Sequence, residues 1–162
     1  MMNEPPLSVY LSGPIPKKSV HNYTEFRDWR ALATKVFRDA GWVVHDPIGD
    51  KVFFSEQDDD LICARDMMMI QQSDIILVNW VPKVNSIGTP MEAVYGKIYG
   101  KTVLWYANNQ ALADHLSESS WVRQHNDFSE VKVFSEEELM ELTHWFAILD
   151  PTMHNFIPDD MA

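Results

Sequence analysis

The 162-residue sequence has one cysteine, Cys63, so no intramolecular disulfide and no cysteine cluster with zinc spacing can form. A disulfide-stapled secreted scaffold is excluded, and a reducing cytoplasm is the expected compartment. No stretch approaches the ~20 apolar residues of a membrane-spanning helix. Asn3, Glu4 and two prolines stand where a signal peptide would carry a basic segment and an apolar core. Positive charge is also scarce: 13 Lys and Arg stand against 24 Asp and Glu, a net charge of -11. Binding to a nucleic-acid polymer comes from lysines and arginines that neutralise phosphates, so such a partner is not expected. A single phosphate can still be held in an acidic protein by a local nest of amides or a pair of lysines. The histidines at 21, 45, 115, 125, 144 and 154 lack the i, i+4 pairing of a helical metal site. Neither a metal nor a cofactor is expected.

What is present fits an ordinary globular chain, with 46% hydrophobic and 23% charged residues. At this length one domain, 1–162, buries a full core without staples. Residues 7–12 read as a buried strand running into Gly13-Pro14. Apolar Phe26, Trp29, Ala33, Val36, Phe37 and Ala40 then recur at helical spacing over 22–40, with Asn22 and Glu25 as a capping pair and Gly41 at the end. A short strand at 42–45 stops at Asp46-Pro47. A helix follows over about 58–72, with Asp66 near its middle and Met67, Met68 and Met69 as expected core filler.

Residues 74–80 are the clearest buried strand, and Asp74 is expected to start it and order backbone. Thr89 suits an N-cap and Pro90 a first helical position, while Met91, Val94, Tyr95 and Ile98 form an apolar face up to Gly100. A strand at 102–106, a weaker helix at 110–116, a strand at 131–134 and a helix from the Ser135/Glu138 capping box to about 149 complete the pattern. This alternation predicts an α/β fold with a five-stranded, mostly parallel sheet joined by right-handed crossovers. Ligands in such sheets sit beyond the carboxyl ends of the strands where strand order reverses. The loops at 12–14, 46–47 and 81–88 are the candidate walls.

Glu92 lies near the start of the helix at Thr89, where the helix dipole is expected to favour an ionised carboxylate. Such a group beside a crevice can attack an electrophilic sugar carbon, and a second carboxyl group must then manage the leaving group's proton. Asp66 is the candidate for that second group. Thr89-x-x-Glu92 equally reads as a capping box, and an aspartate beside Arg65 equally reads as a solvated helix residue. Tryptophans 29, 42, 80, 105, 121 and 145 are expected in core or interfaces. Trp80, which ends the strand feeding the 81–88 loop, either stacks on a base or floors the crevice.

In order and spacing, Tyr10-Leu11-Ser12-Gly13-Pro14-Ile15, Arg65-Asp66 with Gln71-Gln72-Ser73-Asp74, and Gly88-Thr89-Pro90-Met91-Glu92 resemble the nucleoside 2-deoxyribosyltransferase family. The likeness spans roughly 8–107. It implies a flavodoxin-like three-layer sandwich in which Glu92 is the nucleophile, Tyr10 orients it, and Asp66 engages the base and its proton. The candidate substrate contacts are Ser12, Gly13, Pro14, Asp46, Trp80, Ser86, Gly88 and Thr89, among which Gly13 and Gly88 match family glycines that let the backbone approach the ligand.

Many transferases of that family carry an aspartate where this sequence has Ser86. A serine there resembles the related 2'-deoxynucleoside 5'-monophosphate N-hydrolases, in which it helps to bind phosphate. Lys17, Lys18 and Ser19 would add phosphate contacts on that reading, although Lys17-Lys18 also reads as a solvated loop. The implied role is nucleotide salvage or modified-base metabolism. The implied assembly is a homodimer or larger, with a neighbouring subunit closing the site and supplying an asparagine, for which Asn126 and Asn155 are candidates. A nucleotide sensor that kept the fold and lost turnover is the reading from a different class.

Overall fold

The computed structural model describes residues 5–14, 24–48, 59–81 and 87–148. Its strands are β1 (Ser8–Ser12), β2 (Val43–His45), β3 (Ile75–Trp80), β4 (Thr102–Ala107) and β5 (Lys132–Val133). The helices are α1 (Thr24–Asp39), α2 (Asp59–Gln72), α3 (Gly88–Ile98), α4 (Gln110–Ser117), α5 (Ser120–Gln124) and α6 (Glu136–Ile148). The strands form one sheet in the order β2-β1-β3-β4-β5, and every pairing is parallel. This is the doubly wound order in which the chain reverses direction across the sheet between β1 and β3. A reversal there is expected to place a ligand crevice beyond the ends of β1 and β3, at Ser12 and Trp80.

Alternation along the strands builds two apolar layers. Val9, Leu11, Ile75, Leu77, Leu104 and Tyr106 pack against Trp29, Ala33, Val36 and Phe37 of α1 and Leu139, Leu142 and Phe146 of α6. Tyr10, Ile76, Val78, Val103, Trp105 and Ala107 face Ile70 of α2, Ala93 of α3, Ala113 of α4 and Val122 of α5. Helices on both faces of the sheet make the three layers that the sequence predicts.

Several local expectations are corrected. Thr89 is not the N-cap of α3. The helix starts at Gly88, Ile87 occupies the cap without a side-chain hydrogen bond, and Thr89 is fully buried. Pro90 then falls inside the first turn, where its missing N–H costs no helical bond. The residues of α3 that are buried are small, Thr89, Ala93 and Gly96, so its apolar face at Ile87, Met91, Val94 and Ile98 points away from the sheet. A Cβ on Gly96 would stand 2.7 Å from Ile76 Cγ1 and 3.0 Å from Val103 Cγ2, so only glycine lets α3 lie this close to β3 and β4.

Of the three methionines of α2, expected as core filler, Met69 packs against the core, Met67 is half-buried and Met68 is exposed. Trp121 is exposed as well, whereas Trp29, Trp42 and Trp105 are buried. The short helix α5 is absent from the sequence reading. Five residues with one apolar anchor, Val122, are too few to show a period. Among the described residues no helix is long and apolar enough to cross a membrane.

Candidate active site

β1 sends Tyr10 and Ser12 to the same face of the sheet, and α3 brings Glu92 down onto them. Tyr10 Oη donates a hydrogen bond to Glu92 Oε2, and Ser12 Oγ donates to Glu92 Oε1 at 3.1 Å. The fit follows from the small buried stripe of α3, because Gly96 sits one turn beyond Glu92 and sets the height of the helix above the strands. Asp66 on α2 is close enough for its charge to act on both Tyr10 and Glu92. Arg65 Nε and Nη2 donate to Asp66 Oδ1 at 3.3 and 3.2 Å, and Nη2 also reaches Pro47 O at 3.2 Å.

Burial pushes the Glu92 carboxyl up to about 7, and the negative charge of Asp66 adds to the rise. The hydrogen bonds from Tyr10 and Ser12 and the charge of Arg30 oppose it without cancelling it. The expectation of a dipole-ionised Glu92 is therefore corrected. Glu92 is the fifth residue of α3, past the first turn in which the dipole acts, and loss of water dominates. Asp66 is also raised by burial, with Arg65 opposing. Tyr10 is driven well above its ordinary value by burial and then by Glu92 and Asp66, so it remains a protonated donor. The site thus holds a desolvated carboxyl with two fixed donors and a second carboxyl within electrostatic reach.

The remaining sequence candidates divide. Gly13 and Pro14 are buried at the end of β1. A Cβ on Gly13 would lie 2.6 Å from Trp29 Cζ2 and 3.0 Å from Asn79 O, so its lack of a side chain serves packing against α1. The Asp46 carboxylate accepts from Arg30 Nη1 at 2.9 Å and from Ile48 N at 3.0 Å. Trp80 lies on the Glu92 face of the sheet and stacks on Trp105 with centroids 6.2 Å apart. Gly88 is exposed, with open space around it, while Thr89 is enclosed. Ser86, Lys17, Lys18, Ser19 and Asn155 lie outside the described residues. Asn126 Oδ1 accepts from Trp105 N and Phe128 N at 3.1 and 3.2 Å and so orders its own chain beside β4.

Two residues escape the sequence reading. Arg30, an arginine on the buried face of α1, is fully enclosed, and a cation among Trp29, Ala33 and Phe37 was the available signal. Gly96 stands four residues after Glu92, a spacing that places it on the adjoining strip of the helix.

Against known proteins, no family model and no curated protein matches the sequence. Solved structures do match in fold. A 2-deoxyribosyltransferase from Leishmania mexicana superposes with a TM-score of 0.61 at 15% identity over 86% of this chain and 98% of that one. A CMP N-glycosidase from Clostridium botulinum gives 0.55 at 15% identity, over 85% of this chain and 98% of that chain. A 2-deoxyribosyltransferase from Bacillus psychrosaccharolyticus gives 0.50 at 21% identity, over 79% and 99%. The chain has the α/β fold of these proteins.

Proposed function

We propose that this chain is an enzyme of the nucleoside 2-deoxyribosyltransferase family that cleaves the N-glycosidic bond of a 2'-deoxynucleoside, with Glu92 as the nucleophile. The carrying observation is the Glu92 carboxyl, half-buried against the sheet and hydrogen-bonded at both oxygens by Tyr10 and Ser12. A glutamate that only caps its helix would turn to the N-terminal amides instead. The shared fold with 2-deoxyribosyltransferases and a CMP N-glycosidase supports the same reading.

In the proposed reaction a Glu92 oxygen attacks C1' and the base departs with the electron pair of the C–N bond. Asp66 delivers a proton to the departing nitrogen. The resulting deoxyribosyl ester of Glu92 is attacked at C1' by a second base or by water, Asp66 takes the proton of that nucleophile, and the Glu92 carboxylate is released. Tyr10 and Ser12 hold the attacking carboxylate in one orientation, which is where positioning lowers a barrier. A 2'-deoxy sugar suits this chemistry because it lacks the electron-withdrawing hydroxyl that destabilises an oxocarbenium-like transition state.

Transfer and hydrolysis differ only in the acceptor. Ser86 with Lys17, Lys18 and Ser19 favours a second reading, a 5'-monophosphate N-hydrolase. Incubation with deoxynucleosides and their monophosphates, with and without a free acceptor base, separates the two. Base exchange without phosphate supports transfer, and release of base from monophosphates alone supports the hydrolase. Ligand binding with no turnover, unchanged in Glu92→Ala, would establish the sensor instead.

The proposed partner is a second copy of the chain. Ile87 (78% exposed), Met91, Val94 and Ile98 (70%) line the outer face of α3, with Trp121 (78%) exposed nearby on the rim of an apolar groove shared with Pro90 and Val94. A contiguous apolar surface of this kind on so acidic a protein is characteristic of a contact face.

A further inference from the structure

The sheet has an unmet requirement next to the candidate nucleophile. Leu7 O accepts from Val43 N at 2.9 Å, so the odd-numbered carbonyls of β1 face β2. Pairing with β2 stops at Tyr10 and His45, two residues short of Ser12. The carbonyls of Leu11 and Gly13 are left at a buried edge, where an unpaired acceptor is costly. Arg30 fills the gap from α1: Nη1 donates to Leu11 O at 3.0 Å and Nη2 to Gly13 O at 2.9 Å. Nη1 also pairs with Asp46 Oδ1 at 2.9 Å, the arginine side chain being 2% exposed. The guanidinium lies 4.7 Å from the centre of the Trp29 ring. Ser12 is the residue between the two clamped carbonyls, and its hydroxyl points to the opposite face, onto Glu92.

We propose that Arg30 is a positioning residue for Glu92: by clamping the carbonyls on both sides of Ser12 and tying them to Asp46, it fixes the Ser12 hydroxyl against the Glu92 carboxylate. The planar guanidinium supplies several donors in a fixed fork, which a lysine cannot reproduce. The same device reaches the second carboxyl group, since Asp46 leads directly into Pro47, whose carbonyl holds Arg65 beside Asp66. Charge and geometry must be separated, because Arg30 also lowers the Glu92 carboxyl electrostatically. The other groups that bear on this carboxyl are Tyr10 and Ser12 on β1 and Asp66 on α2, itself paired with Arg65, while His45, which neighbours Tyr10 on β2, is lowered from its ordinary value by burial.

The inference rests on Glu92 being the working carboxyl, so its test is read first without turnover, by following the carboxyl titration of Glu92 by NMR. Ser12→Ala removes a donor to the ionised form and raises the midpoint by about half a unit. Arg30→Lys keeps the charge and loses the fork. It is expected to raise the midpoint similarly, and Ser12→Ala added to it should change nothing further. An unshifted midpoint in Arg30→Lys, or additive effects in the double variant, would overturn the proposal. If Arg30→Lys does not fold, Asp46→Asn, which releases the anchor and leaves the cation, carries the same comparison.

In turnover, Arg30→Lys should lower kcat about tenfold with KM within twofold, the signature of misplacement rather than lost binding. A KM effect alone counts against positioning. If the wild-type enzyme cleaves no nucleoside or nucleotide, the proposed function falls while the titration still decides the role of Arg30.

Discussion

Glu92 carries a conflict between folding and chemistry. Its carboxyl rises from 4.5 to about 7 in the folded chain, so between those values the native state binds more protons than the unfolded one. Stability is therefore fullest below about pH 4.5 as far as this group is concerned, and is lost as pH rises through 7. Glu92→Gln, which still accepts from Tyr10, should be more stable than the wild type at pH 8, by roughly 3 kcal/mol at most, and show no such gain near pH 4. Thermal melts at the two pH values check this, and an equal shift at both would contradict it. Turnover runs the other way: kcat/KM should rise with pH through about 7 as Glu92 ionises. Tyr10→Phe removes the donor to Oε2 and should lower kcat by about 10- to 100-fold, moving that rise to higher pH. Tyr10, Asp66 and Glu92 were picked out together by the family resemblance, since spacing alone left Glu92 equally a capping residue and Asp66 equally a solvated one. Their protonation was not legible in the sequence, because it depends on how deeply α3 settles on the sheet.

At the scale of elements, α3 reads clearly as a helix and misleadingly as to its buried face. Met91, Val94 and Ile98 have the period of a core-facing stripe, yet the core side is Thr89, Ala93 and Gly96. Apolar periodicity says which residues share a face of a helix; it does not say whether that face meets the sheet or another surface. Close approach favoured the small residues, and Gly96 is the limiting one. Gly96→Ala should force α3 away from Ile76 and Val103 at a cost of about 1–3 kcal/mol in denaturant unfolding, and lower turnover because Glu92 is carried outward. Unchanged turnover with reduced stability would separate helix height from the chemistry. The strands were easier to read. Continuous apolar runs at β3 and β4 are what a sheet covered on both sides demands, whereas α5 has too few residues to declare itself.

The chain is an acidic three-layer sandwich whose charge opposes polyanions. Among the described residues the exposed apolar side chains Val43, Met68, Met140 and Ile148 stand elsewhere, while Ile87, Met91, Val94, Ile98 and Trp121 lie on or beside α3. If that face joins two copies, Ile98→Glu should convert a dimer or larger species into a monomer in light scattering and leave the far-ultraviolet circular dichroism unchanged. A wild-type monomer at the same concentration would remove the basis for the contact. Alternation and handedness predicted a mostly parallel sheet with ligand walls at the carboxyl ends of its strands, whereas the 2-1-3-4-5 order, and with it the reversal between β1 and β3, was implied only by the family resemblance until the structure showed it. Pro47 announced where β2 stops, but the part Arg30 plays in securing that edge was not legible, since nothing local shows which side chain will meet the carbonyls that β2 leaves unpaired. The most direct measurement is intact-protein and peptide mass spectrometry after rapid quenching with a 2'-deoxynucleoside, and with its monophosphate, in the absence of acceptor base. The expected result is one deoxyribosyl group on the peptide containing Glu92, absent from Glu92→Gln. Turnover without that adduct, or full activity in Glu92→Gln, would contradict the assignment of Glu92 as nucleophile.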